Sequence, residues 1–465
     1  VIGISAVAPR RLAATNGLRA FRHRNYRLFF GGQAISLIGT WMQQVAQAWL
    51  VLELTHDPLW LGVTAAAQFL PVMVLGLFAG VAADALPKRQ TLLAIQVVMM
   101  ILAALLAAIV VSGVAELWMI LLLAAALGCA NAIDMPVRQA FAVELVGHRD
   151  VVPAVALNSA MFNGARVLGP AAAGLAIGAL GIAAAFTINA LSFVAVIVAL
   201  ALMRDDELFT PTRIARPRSA RAVVGNLADG FRYIRATPVV LLALVVVGLG
   251  ATVGMNLSVL IPVYTTDVLG GDAAAFGFLM AASGLGSVAA ALSIAFSGRS
   301  GPVRIAAGAI VLGLGELALA ASGVFPVSLL LMVVIGYGAI MMMATANTTI
   351  QLAVPNDLRG RVMSFYTTIF ASSAPIGGLA FGAIASAAGI VAAIALGGAL
   401  SALVGVGALV WVAAARRNAA SAARDATAGP VTVEAAGPAP QSSGAPSTSA
   451  AFSPPNPNEV LSTRR

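Results

Sequence analysis

Residues 59–90 read LWLGVTAAAQFLPVMVLGLFAGVAADALPKRQ. From Leu59 to Ala83 there is no charged side chain, and then Asp84, Lys88 and Arg89 arrive together. The hydrocarbon core of a bilayer is about 30 Å thick and takes roughly 20 helical residues to cross. The stretch therefore predicts one membrane-spanning helix that runs into a charged loop. Apolar runs of similar length recur on both sides of it, near 28–54, 91–112, 116–134, 153–178 and 182–203. Six more fall near 239–264, 274–297, 305–323, 326–347, 364–386 and 390–412. The plan is twelve helices in two sets of six, an all-α polytopic membrane protein.

Composition agrees. Of 465 residues, 60% are apolar and only 10% charged, against roughly a quarter charged in soluble domains. A net charge of +9 would suit nucleic acid on a soluble chain. Here the arginines stand between apolar runs too long for a soluble fold, so the charge is a topology signal and no nucleic-acid partner is expected. With the N-terminus cytoplasmic, the six outward loops hold none of the 27 basic residues, and Asp57, Asp267 and Asp272 lie there instead. Apart from Arg166, the basic residues all fall in cytoplasmic loops or tails, as the positive-inside rule requires. Both termini are expected in the cytoplasm. The Arg-rich start leads into a full span, not a short signal segment, so no cleaved signal is expected.

The chain divides into a basic N-terminus (1–27), a first half (28–203), a central loop (204–238), a second half (239–412) and a tail (413–465) expected to be disordered. In the loop, Val223, Val224, Leu227, Phe231 and Ile234 recur at helical spacing. That predicts an amphipathic helix on the membrane surface or against the helix ends. The halves also resemble each other: Asn131 precedes LVGHRDVVP and LGPAAAG, and Asn347 precedes AVPNDLRGRV and SAPIGG. Paired halves about a midplane substrate site are a transporter design. Cys129 is the single cysteine, which excludes an intrachain disulfide and a cysteine metal centre. No metal or cofactor is expected. Nor is catalysis: the chain has no Walker loop, HExxH or GxSxG, and His23, His56 and His148 lie outside the spans.

Gly80, Asp84, Lys88 and Arg89 resemble the loop motif between helices two and three of the major facilitator superfamily. There they imply a conformational latch that breaks as the halves rock; the alternative is a headgroup anchor. In NGARVLGPAAAGLAIG, the residues Gly164, Gly169, Pro170 and Gly174 resemble the Gly-Pro motif of its drug and metabolite antiporters, with ordinary close packing the alternative. With FRHRNYRLFFGGQAISLIGTWMQQVAQAWLVLELTHDPLWLGV and DMPVRQAF, the resemblance covers about 20–412 and is to the enterobactin-exporter-like branch. It implies a bacterial inner-membrane exporter of a siderophore, drug or similar metabolite.

Several polar side chains are candidates for the transport path. Arg166, inside a span, either pairs with Asp134 or Glu144 or serves as an anion-binding or coupling residue. Asp134 and Arg138 are spaced for an i, i+4 pair, a structural pair or gate. Glu316, with Glu53 and Asp134 as alternatives, is the candidate proton carrier, since a carboxyl in hydrocarbon holds its proton more readily than in water. Ser36, Thr40, Gln44 and Gln47 share one helical face, and Gln68, Asn158, Asn256 and Asn347 join them as cavity candidates; each is equally open to a packing role. The expected protein is a secondary exporter of an amphipathic small molecule, coupled to protons and surrounded by lipid. An importer, a lipid flippase or a non-transporting sensor on the same plan are the alternatives.

Overall fold

The computed structural model describes residues 18–209, 220–298 and 300–427; within its helices, the side chains of 76–85, 220–227, 356–357, 419 and 422–427 lie outside the description. The first half comprises α1 (Arg24–Thr55), α2 (Pro58–Ala85), α3 (Lys88–Val111), α4 (Leu117–Leu180) and α5 (Ile182–Ala201). After α6 (Ala220–Ala236), the second half comprises α7 (Pro238–Gly254), α8 (Leu257–Asp267), α9 (Ala273–Ser297), α10 (Pro302–Ala320), α11 (Phe325–Ala353), α12 (Asn356–Ala388) and α13 (Ile390–Thr427).

Among the described residues, ten helical segments are long and apolar enough to span a membrane. Two adjustments bring this to twelve passes. At 64 residues α4 is far too long for one crossing, and it bends back at Gly147, whose φ of 66° and ψ of 169° leave the helical region. The 32-residue α1 is long enough but falls outside the apolar set because Gln33, Ser36, Thr40, Gln43, Gln44 and Gln47 lie along it.

The structure corrects three expectations. LVGHRDVVP is not an open loop: residues on both sides of Gly147 are helical, because Val137, Phe141 and Leu145 give the connection a buried apolar face. Run seven is not one helix. It breaks at Met255 and Asn256, between α7 and α8. The tail expected from 413 is helical as far as Thr427, where alanines of high helix propensity continue the pattern; residues 428–465 lie outside the description. Among the described residues, those up to Ala414 form one compact unit and those from Ala415 on belong to a second.

The amphipathic helix is α6. It packs against α7 and α12, burying Ile234 and leaving Phe231 exposed. Asp229 accepts a 2.9 Å ion-pair bond from Arg361, and the Tyr233 hydroxyl donates to the Ala353 carbonyl. Of the expected apolar face, the Val223, Val224 and Leu227 side chains lie outside the description.

In lipid no water is released when helices meet, so close approach of small residues carries the packing. The halves meet along α2 with α12 and along the second pass of α4 with α9. These contacts gather toward the face opposite the termini. There a Cβ at Gly62 would overlap the Gly378 carbonyl, and one at Gly277 would stand 2.5 Å from the Pro170 carbonyl. Trp49 of α1 stacks on Phe276 of α9 at 6.1 Å. Nearer the termini, Phe29, Leu92, Phe141, Leu145 and Leu200 form a buried apolar cluster that belongs to the first half alone.

Candidate functional site

Arg166 sits where α1, α4 and α9 converge. Its guanidinium lies 5.9 Å from the centre of the Trp41 ring, and Trp41 meets Phe162 edge-on at 5.6 Å. The Arg166 carbonyl faces Gly284 of α9. No carboxylate among the described residues lies within ion-pair distance of Arg166: Asp134 pairs with Arg138, and Glu144 with Lys88. Neither expected partner neutralises it. The result is a half-buried cation with an aromatic wall beside the seam between the halves, a combination chemically suited to an anionic or aromatic group.

The other residues of the Gly-Pro motif divide. Gly169 is pressed against Trp41, and Gly174 against Ala274 of α9, while nothing lies within 4 Å of a Cβ placed on Gly164. Two of the three glycines therefore serve close packing, and one leaves open space.

On α1, Ser36 and Gln47 are buried and Gln44 is half-buried; Thr40 donates back to the Ser36 carbonyl. Gln43, another polar residue of this run that lies off the shared face, is buried and accepts from Asn189 of α5 at 2.5 Å. Among the further cavity candidates, Asn158 accepts from the Tyr26 hydroxyl, Asn256 donates to the Thr252 carbonyl, and Asn347 accepts from Gln351. Asn256 and Asn347 bond to residues one helical turn away, whereas Asn158 ties α4 to α1. The Gln68 carbonyl packs against Gly128, and Gln68 itself is half-buried.

On the terminal face the charges form a network inside the first half. Lys88 Nζ lies 2.9 Å from Glu144, each side chain 11% exposed. Arg89 donates to the Leu200 and Ala201 carbonyls and to Asp205 at 2.6 Å. Asp134, buried, accepts from Arg138 and, at 2.8 Å, from Gln96. Lys88 and Arg89 thus tie α3 to α4 and to the end of α5, all in one half. The side chain of Asp84, and the surroundings of Gly80, lie outside the description. Glu53 is exposed at the far end of α1, where it accepts from Trp49 Nε1 at 2.6 Å. Glu316 is buried in α10, and its Oε2 has no hydrogen-bond partner.

The sequence pattern of the transmembrane secretion effector family matches residues 15–436. The chain belongs to that family. It is a transporter of the major facilitator superfamily, in a branch with a siderophore transporter and multidrug efflux pumps, and is not an enzyme. Over 364 residues this transporter is 29% identical to the multidrug efflux pump Tap of Mycolicibacterium fortuitum, covering 74% of this chain and 85% of that one. Over 269 residues it is 26% identical to the staphyloferrin A transporter of Staphylococcus aureus, covering 57% of this chain and 66% of that one. Its fold matches the nucleoside transporter NupG at a TM-score of 0.62 and 13% identity, covering 83% and 97% of the two chains. A transporter of the POT family in complex with 5-aminolevulinic acid matches at 0.68 and 11%, covering 84% and 96%.

Sequence reading of the transporter missed Phe162, Phe276 and Ser401. Phe162 lies one helical turn before Arg166, which was the available signal. The contact of Phe276 with Trp49 joins positions remote in the chain and left no local trace.

Proposed function

We propose that this protein is a secondary exporter. It moves an amphipathic small molecule, a siderophore or drug bearing an anionic or aromatic group, outward across the bacterial inner membrane by alternating access. Inward proton flow drives it. The observation that carries the reading is the Arg166–Trp41–Phe162 cluster beside the seam between two halves. A membrane-embedded cation without a carboxylate partner is costly, and binding an anionic group offsets that cost.

The grouping of inter-half contacts supports alternating access. With both termini cytoplasmic, the glycine contacts of Gly62 and Gly277 and the Trp49–Phe276 stack lie on the outer side, the side an inward-facing transporter keeps shut. The charge network around Lys88, Arg89 and Asp134 supports rigid-body rocking, because it holds the first half together as a unit. A latch at Gly80 and Asp84 would then act on that unit from α2. The named relatives, an efflux pump and a siderophore transporter, support the substrate class.

The test is efflux of a panel of fluorescent drugs and of iron-free and ferric siderophores from cells, with and without a protonophore. Outward movement that requires this protein and collapses with the proton gradient is expected. Net uptake, or no movement of any panel member, would overturn the exporter reading.

A further inference from the structure

Away from the Arg166 cluster, the second half contains a polar spot at the place where run seven breaks. α7 stops at Gly254, Met255 and Asn256 leave helical geometry, and α8 resumes at Leu257. Against that break stand two buried side chains with unpartnered oxygens, Glu316 Oε2 from α10 and Ser401 Oγ from α13. Glu316 is 4% exposed and Ser401 fully buried. Both point at Gly254: a Cβ there would overlap Ser401 Oγ and stand 3.4 Å from Glu316 Oε2. The Val253 carbonyl borders the same spot, since a Cβ at Gly397 would lie 2.8 Å from it and 3.7 Å from Glu316 Oε2.

Among the described residues, no counter-charge faces the carboxyl. α7 has no titratable side chain, and neither does α13 between Ile390 and Ala414. α11 has only Tyr337, which donates to Ser293. The other charge on α10 is Arg304, about three turns toward the terminal face. On α8, Tyr264 is bonded to Ser322 and Ser328, and Asp267 closes the far end. On α12, Tyr366 donates to the Met343 carbonyl, and Arg359 and Arg361 lie at the helix start. A lone carboxylate in such surroundings calls for one positive charge.

We infer that Glu316, Ser401 and the opened backbone between α7 and α8 form a binding site for a single monovalent cation, H⁺ or Na⁺. Carboxylate, hydroxyl and unwound carbonyl are the oxygen donors such an ion takes at a broken helix. The position gives the site a mechanical output. α7 packs within the second half, against α10, α11 and α12, whereas α8 also contacts α1 and α2 of the first. A charge arriving at the break therefore acts on the joint between the halves. That consequence rests on the transport reading; the site itself does not.

The experiment is infrared difference spectroscopy of the full chain in lipid nanodiscs, without substrate, following carboxylic-acid absorption as pH is raised and as NaCl or choline chloride is added. An acid band that disappears on deprotonation and is absent in Glu316→Gln is expected. Displacement of that band by NaCl but not by choline chloride assigns Na⁺ binding; equal behaviour in the two salts assigns H⁺ alone. Ser401→Ala removes one of the oxygen donors offered to the cation and shifts the midpoint or the sodium affinity on the order of tenfold. Should Glu316→Gln fail to fold, Ser401→Ala and Gly254→Ala, which fills the spot, carry the same test. A Glu316 band that responds to neither pH nor sodium, or one indifferent to both other variants, would overturn the site. Cation binding without any export would instead sink the exporter reading alone.

Discussion

Gly62→Ala puts a wedge in the seam between the halves. The added Cβ meets the Gly378 carbonyl, which is backbone on α12 and has no rotamer to escape into. α2 and α12 must separate by a fraction of an ångström, and overpacking of this kind costs about 1–3 kcal/mol. On the proposed alternating-access reading the contact exists only while the outer side is shut, so the cost falls on that state alone. The helix-propensity gain of Ala over Gly, about 1 kcal/mol, is common to both states and cancels. At 1.4 kcal/mol per factor of ten, a cost near 2 kcal/mol shifts the equilibrium toward the outward-open form about 30-fold. Spin labels at Ser112 and Val327, exposed near the outer ends of α3 and α11, in a background with the native Cys129 replaced, report the separation. A distance distribution unchanged by Gly62→Ala in folded protein would refute the argument that this seam opens during transport.

Arg166→Ala and Trp41→Ala are each expected to cut efflux of anionic or aromatic substrates at least tenfold, while Arg166→Lys, keeping charge without the planar face, retains part of it; equal efflux by all three would remove Arg166 from the path. Lys88→Met leaves the largely buried Glu144 carboxylate without its partner and is expected to cost about 3 kcal/mol. The double variant Lys88→Met/Glu144→Leu restores most of that loss, and thermal unfolding in detergent measures both. Gly147→Ala forces a side chain into a φ of 66° with Phe209 3.0 Å from the new Cβ. It is expected to cost about 1–3 kcal/mol, read as a lower unfolding temperature.

The spans and α6 were legible in the sequence because length, apolarity and helical period are local properties, and lipid punishes exceptions to them. The double pass of α4 was half legible: both apolar runs stood out, but the amphipathic stretch from Met135 to Val146 between them read as a loop because its charges hid the buried stripe of Val137, Phe141 and Leu145. The break after Gly254 was hidden by its own apolarity. Only Gly250, Gly254 and Asn256, with Pro262 beyond, hinted that run seven is discontinuous. At the candidate site, Arg166 and Glu316 were singled out by the cost of charge in hydrocarbon. What surrounds them was not foreseeable, since Trp41 and Ser401 reach them from other helices.

The near-absence of slack in α4 bears on how the chain is made. One residue, Gly147, departs from helical geometry between Leu117 and Leu180, so passes four and five have no tether that would let one wait in the membrane for the other. On the proposed topology they are expected to enter as a helical hairpin, with Arg138, His148 and Arg149 near its tip held back on the side where the ribosome stands. The same tip carries Glu144, to which Lys88 binds, and Asp150, to which His23 binds at 3.0 Å. Both partners, His23 and Lys88, are synthesised before the hairpin, so the bend at Gly147 gives segments made earlier a place to fasten once it has inserted.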